Sequence, residues 1–166
     1  MSGDRTPWIA GDVEIDAAAL SSIEAHAVEC YPNESCGFVA GPVADALFVD
    51  EAIREVNEAD KFHKLDPVTF PRTARTYFKI NELRASRTFE AQEKSGRPVK
   101  VIYHSHCDAG AYFSAEDSAT FANDGQLMWP CAFIVVSVQK GRVAERKLWI
   151  HTPGTNGFEE SVLTVR

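Results

Sequence analysis

The chain has 166 residues, of which 45% are hydrophobic, and this predicts a single domain over residues 1–166 with a substantial core. Its 24 acidic and 17 basic residues leave a formal charge of −7, which disfavours nucleic acid as a partner. No stretch approaches the roughly 18 apolar residues of a membrane span, and residues 1–12 lack the apolar core of a signal peptide, so we expect no membrane association and a cytoplasmic location. The scattered cysteines predict reduced thiols at Cys30, Cys36, Cys107 and Cys131.

Local patterns in the first half predict one helix and a pair of strands. Asp16 is a typical N-cap, and apolar residues at helical spacing predict a helix that ends before Pro32. The stretches 36–41 and 46–56 are rich in Phe, Val and Ile and predict a hairpin with a Gly-Pro turn. Residues 57–76 show neither the helical nor the strand spacing of apolar residues. We interpret them as an insertion loop beside the active site.

The second half predicts further alternation of helices and strands. Asn81 is expected to cap a helix to about Ser95, and Ser114 to open a helix to about Asp124. Composition and length predict strands at 77–80, 99–103, 131–138 and 142–151. The tail, 158–165, fits either an edge strand or a short helix. The predicted architecture is mixed α/β.

Two of the five histidines lie one residue apart where the 99–103 strand ends, in the stretch HSHCDAGAYFSAED. In extended backbone His104 and His106 point to the same side, and on the following helix Ser114 and Asp117 share one face. The intervening loop is short and contains Gly110, so it can bring the carboxylate to the histidines. Two imidazoles and a carboxylate are the ligands of an open catalytic zinc site, and also of non-haem iron in oxygenases.

A zinc-dependent hydrolase also needs a proton acceptor that does not bind the metal. Glu34 is the best candidate, because it directly precedes a buried strand in which Gly37 permits close packing. The sequence alone leaves its distance from the histidines open.

Glu34, the His104-Ser-His106 run, Ser114 and Asp117 together resemble the signature of the JAMM (MPN+) zinc metalloprotease family, in its small stand-alone prokaryotic form. The resemblance implies that His104, His106 and Asp117 hold one zinc ion per chain. It implies that Glu34 is the general acid/base acting on a zinc-bound water, and that Ser114 helps to hold the oxyanion. The implied fold is a three-layer α/β/α sandwich with a curved mixed sheet, similar to cytidine deaminases.

The same resemblance implies a peptidase or isopeptidase that cleaves after the C-terminal Gly-Gly tail of a ubiquitin-like or sulfur-carrier protein. Removal of a cysteine made on the carrier is one activity of the small members. The alternatives are an inactive scaffold or binding module of the same fold, and a peptidase with a phage-tail or cell-wall substrate or one serving an antiviral conjugation pathway.

A few residues have more than one interpretation. Cys107 stands where many small relatives have proline, and it can be a packing residue, a redox-sensitive neighbour or an extra ligand. Apolar side chains around the insertion either form a groove for the substrate tail or pin the loop: Phe62, Leu65, Phe70 and Tyr77. The other three histidines are interpreted as structural or exposed. His26 is placed on the polar face of the first predicted helix, His63 in the insertion and His151 near a strand end. His63 has a further possible contact with substrate or metal.

Overall fold

The computed structural model describes residues 5–166, and within them short helices alternate with strands. A 3₁₀ turn at Pro7–Ala10 precedes four α-helices: α1 (Ala17–Cys30), α2 (Ala59–Leu65), α3 (Glu82–Lys94) and α4 (Ala115–Phe121). The strands are β1 (Val13–Ile15), β2 (Cys36–Ala40), β3 (Phe48–Val49), β4 (Glu51–Glu55), β5 (Val99–Cys107), β6 (Ala122–Asn123), β7 (Gln126–Leu127), β8 (Ala132–Gln139), β9 (Arg142–His151), β10 (Phe158–Ser161) and β11 (Leu163–Val165). None of these helices is long and apolar enough to cross a membrane.

The main sheet has six strands in the order β10-β9-β8-β5-β2-β4. Strands β5 and β8 run parallel, and the other neighbours are antiparallel, so the sheet is mixed. A small parallel sheet, β11-β1-β3, brings the two ends of the described chain together. Strand β5 lies in the interior of the main sheet, between β2 and β8, and its residues up to His106 are buried.

Helices cover both faces of the main sheet, which gives the three-layer arrangement. Side chains alternate along β5, so Tyr103 faces α1 while Ile102 faces α3 and α4. The first face is packed with aliphatic residues of α1, such as Ile23. The second face is rich in aromatic residues, including Phe121 and Phe133, whose ring centroids lie 4.6 Å apart. The predicted mixed α/β architecture is confirmed.

The capping residues start their helices as predicted, but one helix is shorter than expected. The Asp16 carboxylate accepts hydrogen bonds from the first turn of α1, and the Asn81 side chain does the same for α3. Helix α4 ends at Phe121 rather than near Asp124, because the chain turns back there and β6 pairs with β7. Asp124 lies in the turn between β6 and β7 and has a positive φ of 51°, which is incompatible with a helix that continues to this residue.

The strand predicted at 77–80 is wrong, because a side chain occupies the backbone groups that a neighbouring strand would have used. The Asn57 amide donates to the carbonyl of Tyr77 at 3.0 Å and accepts from the N–H of Lys79 at 3.0 Å. The insertion at 57–76 is also not wholly irregular, since it contains α2. The predicted strand at 46–56 divides into β3 and β4, which belong to different sheets. The tail forms two strands, β10 and β11.

Candidate metal centre and proton acceptor

At the end of β5 the two histidines lie on one face of the main sheet, and Ser105 is hydrogen-bonded on the opposite face. His104 and His106 point toward α4, whereas the Ser105 hydroxyl accepts a hydrogen bond from the N–H of Ser35 at 2.7 Å. The N–H of Ser105 in turn donates to the carbonyl of Ser35 at 3.1 Å. These two hydrogen bonds connect the segment that carries Glu34 to the strand that carries the histidines.

Asp117 reaches the histidines through the N-terminal turn of α4. Ser114 is the N-cap: its hydroxyl accepts from the N–H of Asp117 at 3.1 Å, and its own N–H donates to Asp117 Oδ2 at 3.0 Å. This capping box holds the carboxylate in one orientation. Asp117 Oδ2 then lies 3.1 Å from His104 Nε2 and 3.2 Å from His106 Nε2.

The three atoms form a nearly equilateral triangle, since the two Nε2 atoms lie 3.2 Å apart. A tetrahedral zinc ion with bonds of about 2.0–2.1 Å has ligand atoms roughly 3.3 Å from one another. The three side chains are also buried, with exposed fractions of 5% or less. His104, His106 and Asp117 are therefore a set that could hold such an ion with one ligand position left for water or substrate.

The tautomer of His106 also favours a metal ion at this position. Its Nδ1 contacts the carbonyl of Gly110 at 2.8 Å, and only a protonated Nδ1 can donate that bond, so in the neutral ring Nε2 carries the lone pair. In the neutral ring a lone pair thus faces a carboxylate oxygen, and a proton or a metal ion between the two atoms would stabilise the contact. His104 Nδ1 is buried and has no hydrogen-bond partner among residues 5–166, and the ring is held by Phe78, stacked at 4.4 Å.

The electrostatics of the cluster favour a bound positive charge. Burial by itself would raise the pKa of Asp117, but the positive charge of His104 and hydrogen bonds from both histidines hold that pKa well below its usual range. Burial opposes protonation of His106, yet its hydrogen bond with Asp117 raises its pKa overall. Both shifts show that the carboxylate is most stable beside a cation, whether a proton or a metal ion.

Glu34 lies beside this cluster and is only 6% exposed. Its N–H donates to the carbonyl of Ala74 at 2.7 Å, and its carbonyl accepts from the Asn57 amide at 3.0 Å. Two residues later, Cys36 pairs with His104 across β2 and β5. Burial, followed by the negative charge of Asp117, raises the pKa of Glu34 to about 9. A carboxylate with so high a proton affinity is suited to accept and return a proton.

The predicted site residues lie together, whereas the remaining histidines do not join them. His63 contacts the carbonyl of Phe70 and His151 that of Thr155, so both stabilise local loops. The placement of His26 on a polar helix face was wrong: it is 7% exposed, and its Nδ1 lies 2.6 Å from the hydroxyl of Tyr103.

The structure also distinguishes between the interpretations of the insertion and of Cys107. Phe62 packs against Phe70 with centroids 5.0 Å apart, which favours pinning of the insertion over an open groove. Burial, followed by the charges of Glu34 and Asp108, raises the pKa of Cys107 to about 12. The group of converging ligand atoms contains His104, His106 and Asp117 but not the Cys107 thiol, because Cys107 follows His106 on β5 and points to the other side of the strand.

Sequence reasoning missed the residues that orient the candidate ligands. Phe78 supports the His104 ring, and the ring of Tyr112 lies 5.0 Å from that of His106. The carbonyl of Gly110 sets the His106 tautomer, but a backbone carbonyl is present at every residue and leaves no signal in a sequence. Asn57 is one of several polar residues at the start of the insertion, and nothing in the sequence distinguishes it from them.

Comparison with known proteins identifies the family. The family model for prokaryotic homologs of the JAB domain matches residues 16–151. The chain belongs to this family. Among curated relatives of this JAB-domain chain, the CysO-cysteine peptidase of Mycobacterium tuberculosis is 27% identical over 103 residues. That match covers 62% of this chain and 61% of the relative, so the chain spans less than two thirds of it.

Solved structures share the JAB-domain fold. A protein from Desulfitobacterium hafniense superposes with a TM-score of 0.68 at 20% identity, over 93% of this chain and 92% of that chain. A JAB1/MPN domain protein from Archaeoglobus fulgidus gives a TM-score of 0.53 at 17% identity, over 94% and 98% of the two chains. These similarities establish the small prokaryotic JAMM/MPN fold for this chain.

Proposed function

We propose that this JAB-domain chain is a zinc-dependent peptidase that cleaves after the C-terminal Gly-Gly tail of a ubiquitin-like or sulfur-carrier protein, and that it releases cysteine from such a carrier. The observation that carries the proposal is the convergence of His104 Nε2, His106 Nε2 and Asp117 Oδ2 within 3.2 Å of one another, beside the buried Glu34. The name of the mycobacterial relative supplies the class of substrate.

His104, His106 and Asp117 would hold the zinc ion. When bound, zinc supplies a Lewis acid that polarises a carbonyl and lowers the pKa of a coordinated water to near 7. The protein contributes the geometry, since the capping box orients Asp117 and the Gly110 carbonyl leaves Nε2 of His106 as the ligand atom.

Glu34 moves the proton in this reaction. Its carboxylate accepts a proton from the attacking water and delivers it to the amine nitrogen of the leaving residue. Its raised pKa, about 9 before any metal binds, makes the carboxylate a strong proton acceptor, and a bound cation would lower that pKa toward neutrality. The bonds from Glu34 N–H to Ala74 and from Asn57 to the Glu34 carbonyl hold the backbone from which the carboxylate projects.

Ser114 is suited to stabilise the oxyanion. Its hydroxyl oxygen accepts the N–H of Asp117, and this cap uses a lone pair but not the hydroxyl proton. The proton therefore remains free to donate to negative charge that develops on the scissile carbonyl oxygen. One residue thus caps α4 and serves the reaction.

The test uses the CysO–cysteine conjugate, the substrate named for the mycobacterial relative, with free cysteine as the readout. We expect release by the wild type, loss on chelation and recovery with zinc. Glu34→Gln should retain about one zinc per chain and turn over at least roughly a thousandfold more slowly, because the proton acceptor is gone. Glu55→Gln is the matched control, since Glu55 is also a buried carboxylate, 9% exposed.

Two results would contradict the proposal. Substantial turnover by Glu34→Gln would remove Glu34 from the reaction. A wild type that binds no zinc when zinc is offered, and releases no cysteine, would favour the inactive scaffold of the same fold.

A further inference from the structure

Two arginines flank a residue that is bonded directly to the proposed proton carrier. Ala74, between Arg72 and Arg75, accepts a hydrogen bond from the N–H of Glu34 at 2.7 Å. Its own N–H donates to the Asp60 carboxylate at 2.8 Å. Both backbone groups of Ala74 are thus occupied, and the arginines are held at the edge of the site next to Glu34.

Arg72 is engaged in a structural contact. Its guanidinium pairs with Glu116 at 2.8 Å, and Glu116 directly precedes Asp117 on α4. The ion pair joins the insertion to the helix that carries the carboxylate ligand. Its positive charge also acts to lower the pKa of Glu34. Arg72 is therefore a positioning residue.

Arg75 has no such partner. Its side chain is exposed and makes no hydrogen bond or ion pair with any residue between 5 and 166. The nearby Asp108 carboxylate is already used, since it accepts from the Tyr31 hydroxyl at 2.7 Å and from the N–H of Lys140 at 2.9 Å. The Arg75 charge nevertheless acts on Cys107, the residue that follows His106. Among residues 5–166 the guanidinium donors of Arg75 are unpaired, and its charge acts on both Cys107 and Asp108 at the end of β5.

The chemistry of the leaving residue explains why a free cation would lie there. When a single residue is released, its α-carboxylate lies within about 4 Å of the amine nitrogen that takes up the proton. That nitrogen must come to Glu34. The Arg72 charge is already paired with Glu116, and the other charged side chains near this point are acidic and would repel a carboxylate: Glu34, Asp108 and Asp117. An internal peptide bond or an isopeptide to lysine would place no charge at this point.

We propose that Arg75 binds the free α-carboxylate of the leaving residue, and so makes the chain specific for one C-terminal residue after the carrier tail. This inference rests on the proposed function and names the kind of bond that the site accepts. Arg75 meets the carboxylate with paired N–H donors, as arginine commonly does.

The experiment compares two CysO–cysteine conjugates, one with a free C-terminal carboxylate and one with a C-terminal amide. We expect the wild type to cleave the acid with a kcat/KM at least tenfold above that for the amide. Arg75→Ala should lower the value for the acid by about tenfold to a hundredfold and leave the amide unchanged, so that the preference disappears. Arg75→Lys should retain part of the preference. Arg87→Ala, at an exposed arginine of α3, should retain all of it.

A binding measurement separates recognition from turnover. In a Glu34→Gln background, calorimetry should show weaker binding of the acid conjugate when Arg75 is also replaced by alanine, with the same zinc content. Equal cleavage of acid and amide by the wild type, or a preference that survives Arg75→Ala, would overturn the inference while the proposed function stands. A wild type that cleaves neither conjugate would contradict the proposed function itself.

Discussion

The two ends of β5 carry buried polar groups, but the hydrogen bonding at the two ends differs. At the beginning, the ammonium of Lys100 donates to three carbonyls, those of Pro42 at 2.9 Å, Asp45 at 2.8 Å and Phe48 at 2.9 Å. An ammonium has three donors, so all are used. At the other end, His104 Nε2, His106 Nε2 and Asp117 Oδ2 converge within 3.2 Å of one another, and His104 Nδ1 has no hydrogen-bond partner among residues 5–166. A buried cluster whose donors are all paired is complete by itself, whereas side chains that converge on one shared point favour a bound cation.

Asp117→Asn gives the sharpest way to test this contrast. We expect zinc affinity to fall by more than about a hundredfold, because even neighbours of metal ligands cost tenfold to a hundredfold when changed. At about pH 8, the free energy of unfolding of the zinc-free protein should change by less than about 1 kcal/mol, because the amide keeps the shape and adds donors. Zinc titration and urea unfolding measure the two quantities. A large loss of stability without zinc would show that this end of β5 is structural after all.

Lys100→Met tests the opposite end of β5. Lys100 has no exposed surface, so removal of the ammonium would leave three carbonyls without their donor. We expect the free energy of unfolding to fall by about 3–5 kcal/mol, as for other broken buried charged interactions. The folded fraction should keep its zinc content and its kcat. Loss of zinc from protein that remains folded would contradict the separation of the two ends.

Stability should respond to pH with opposite sign at the two ends. In zinc-free protein the pKa of Glu34 is raised from 4.5 to about 9, so between these values the folded state holds a proton that the unfolded chain releases. Its contribution to stability is therefore present at low pH and lost as pH rises. Burial lowers the pKa of Lys100 to about 8, so its contribution increases above that pH. Urea unfolding of wild type and Glu34→Gln at about pH 6 and about pH 8 should show a steeper decline in the wild type, because the variant keeps only the smaller decline that comes from the raised pKa of His106.

A comparison of two helix caps has the smallest expected effect on stability. Ser114 caps α4 and Asn81 caps α3, each by accepting an N–H of the first turn. Replacement of either by alanine should reduce the free energy of unfolding by about 1 kcal/mol. Only Ser114→Ala should also lower kcat, by about tenfold or more, because Ser114 is the cap that lies next to the proposed site and is proposed to stabilise the oxyanion. Equal kcat values in the two variants would limit Ser114 to capping.

Local patterns in the sequence predicted most of the secondary structure. The caps Asp16 and Asn81 start their helices because their side chains bond only residues two or three positions away. Such contacts can be read from neighbouring letters. The strand at 77–80 failed because Asn57, about 20 residues earlier, bonds that backbone instead. Helix α4 ended early because a two-strand hairpin competed for its last residues.

For the candidate site, the sequence by itself determined the residue types and two local geometries. Alternation along β5 puts His104 and His106 on one side, and helical spacing joins Ser114 to Asp117. Only the tertiary structure decided that Glu34 lies beside them and that Arg75 has no partner within residues 5–166. Both depend on the bonds from Ser35 to Ser105 and from Glu34 to Ala74. Short-range geometry follows from backbone periodicity, whereas contacts between distant segments depend on how the whole chain packs.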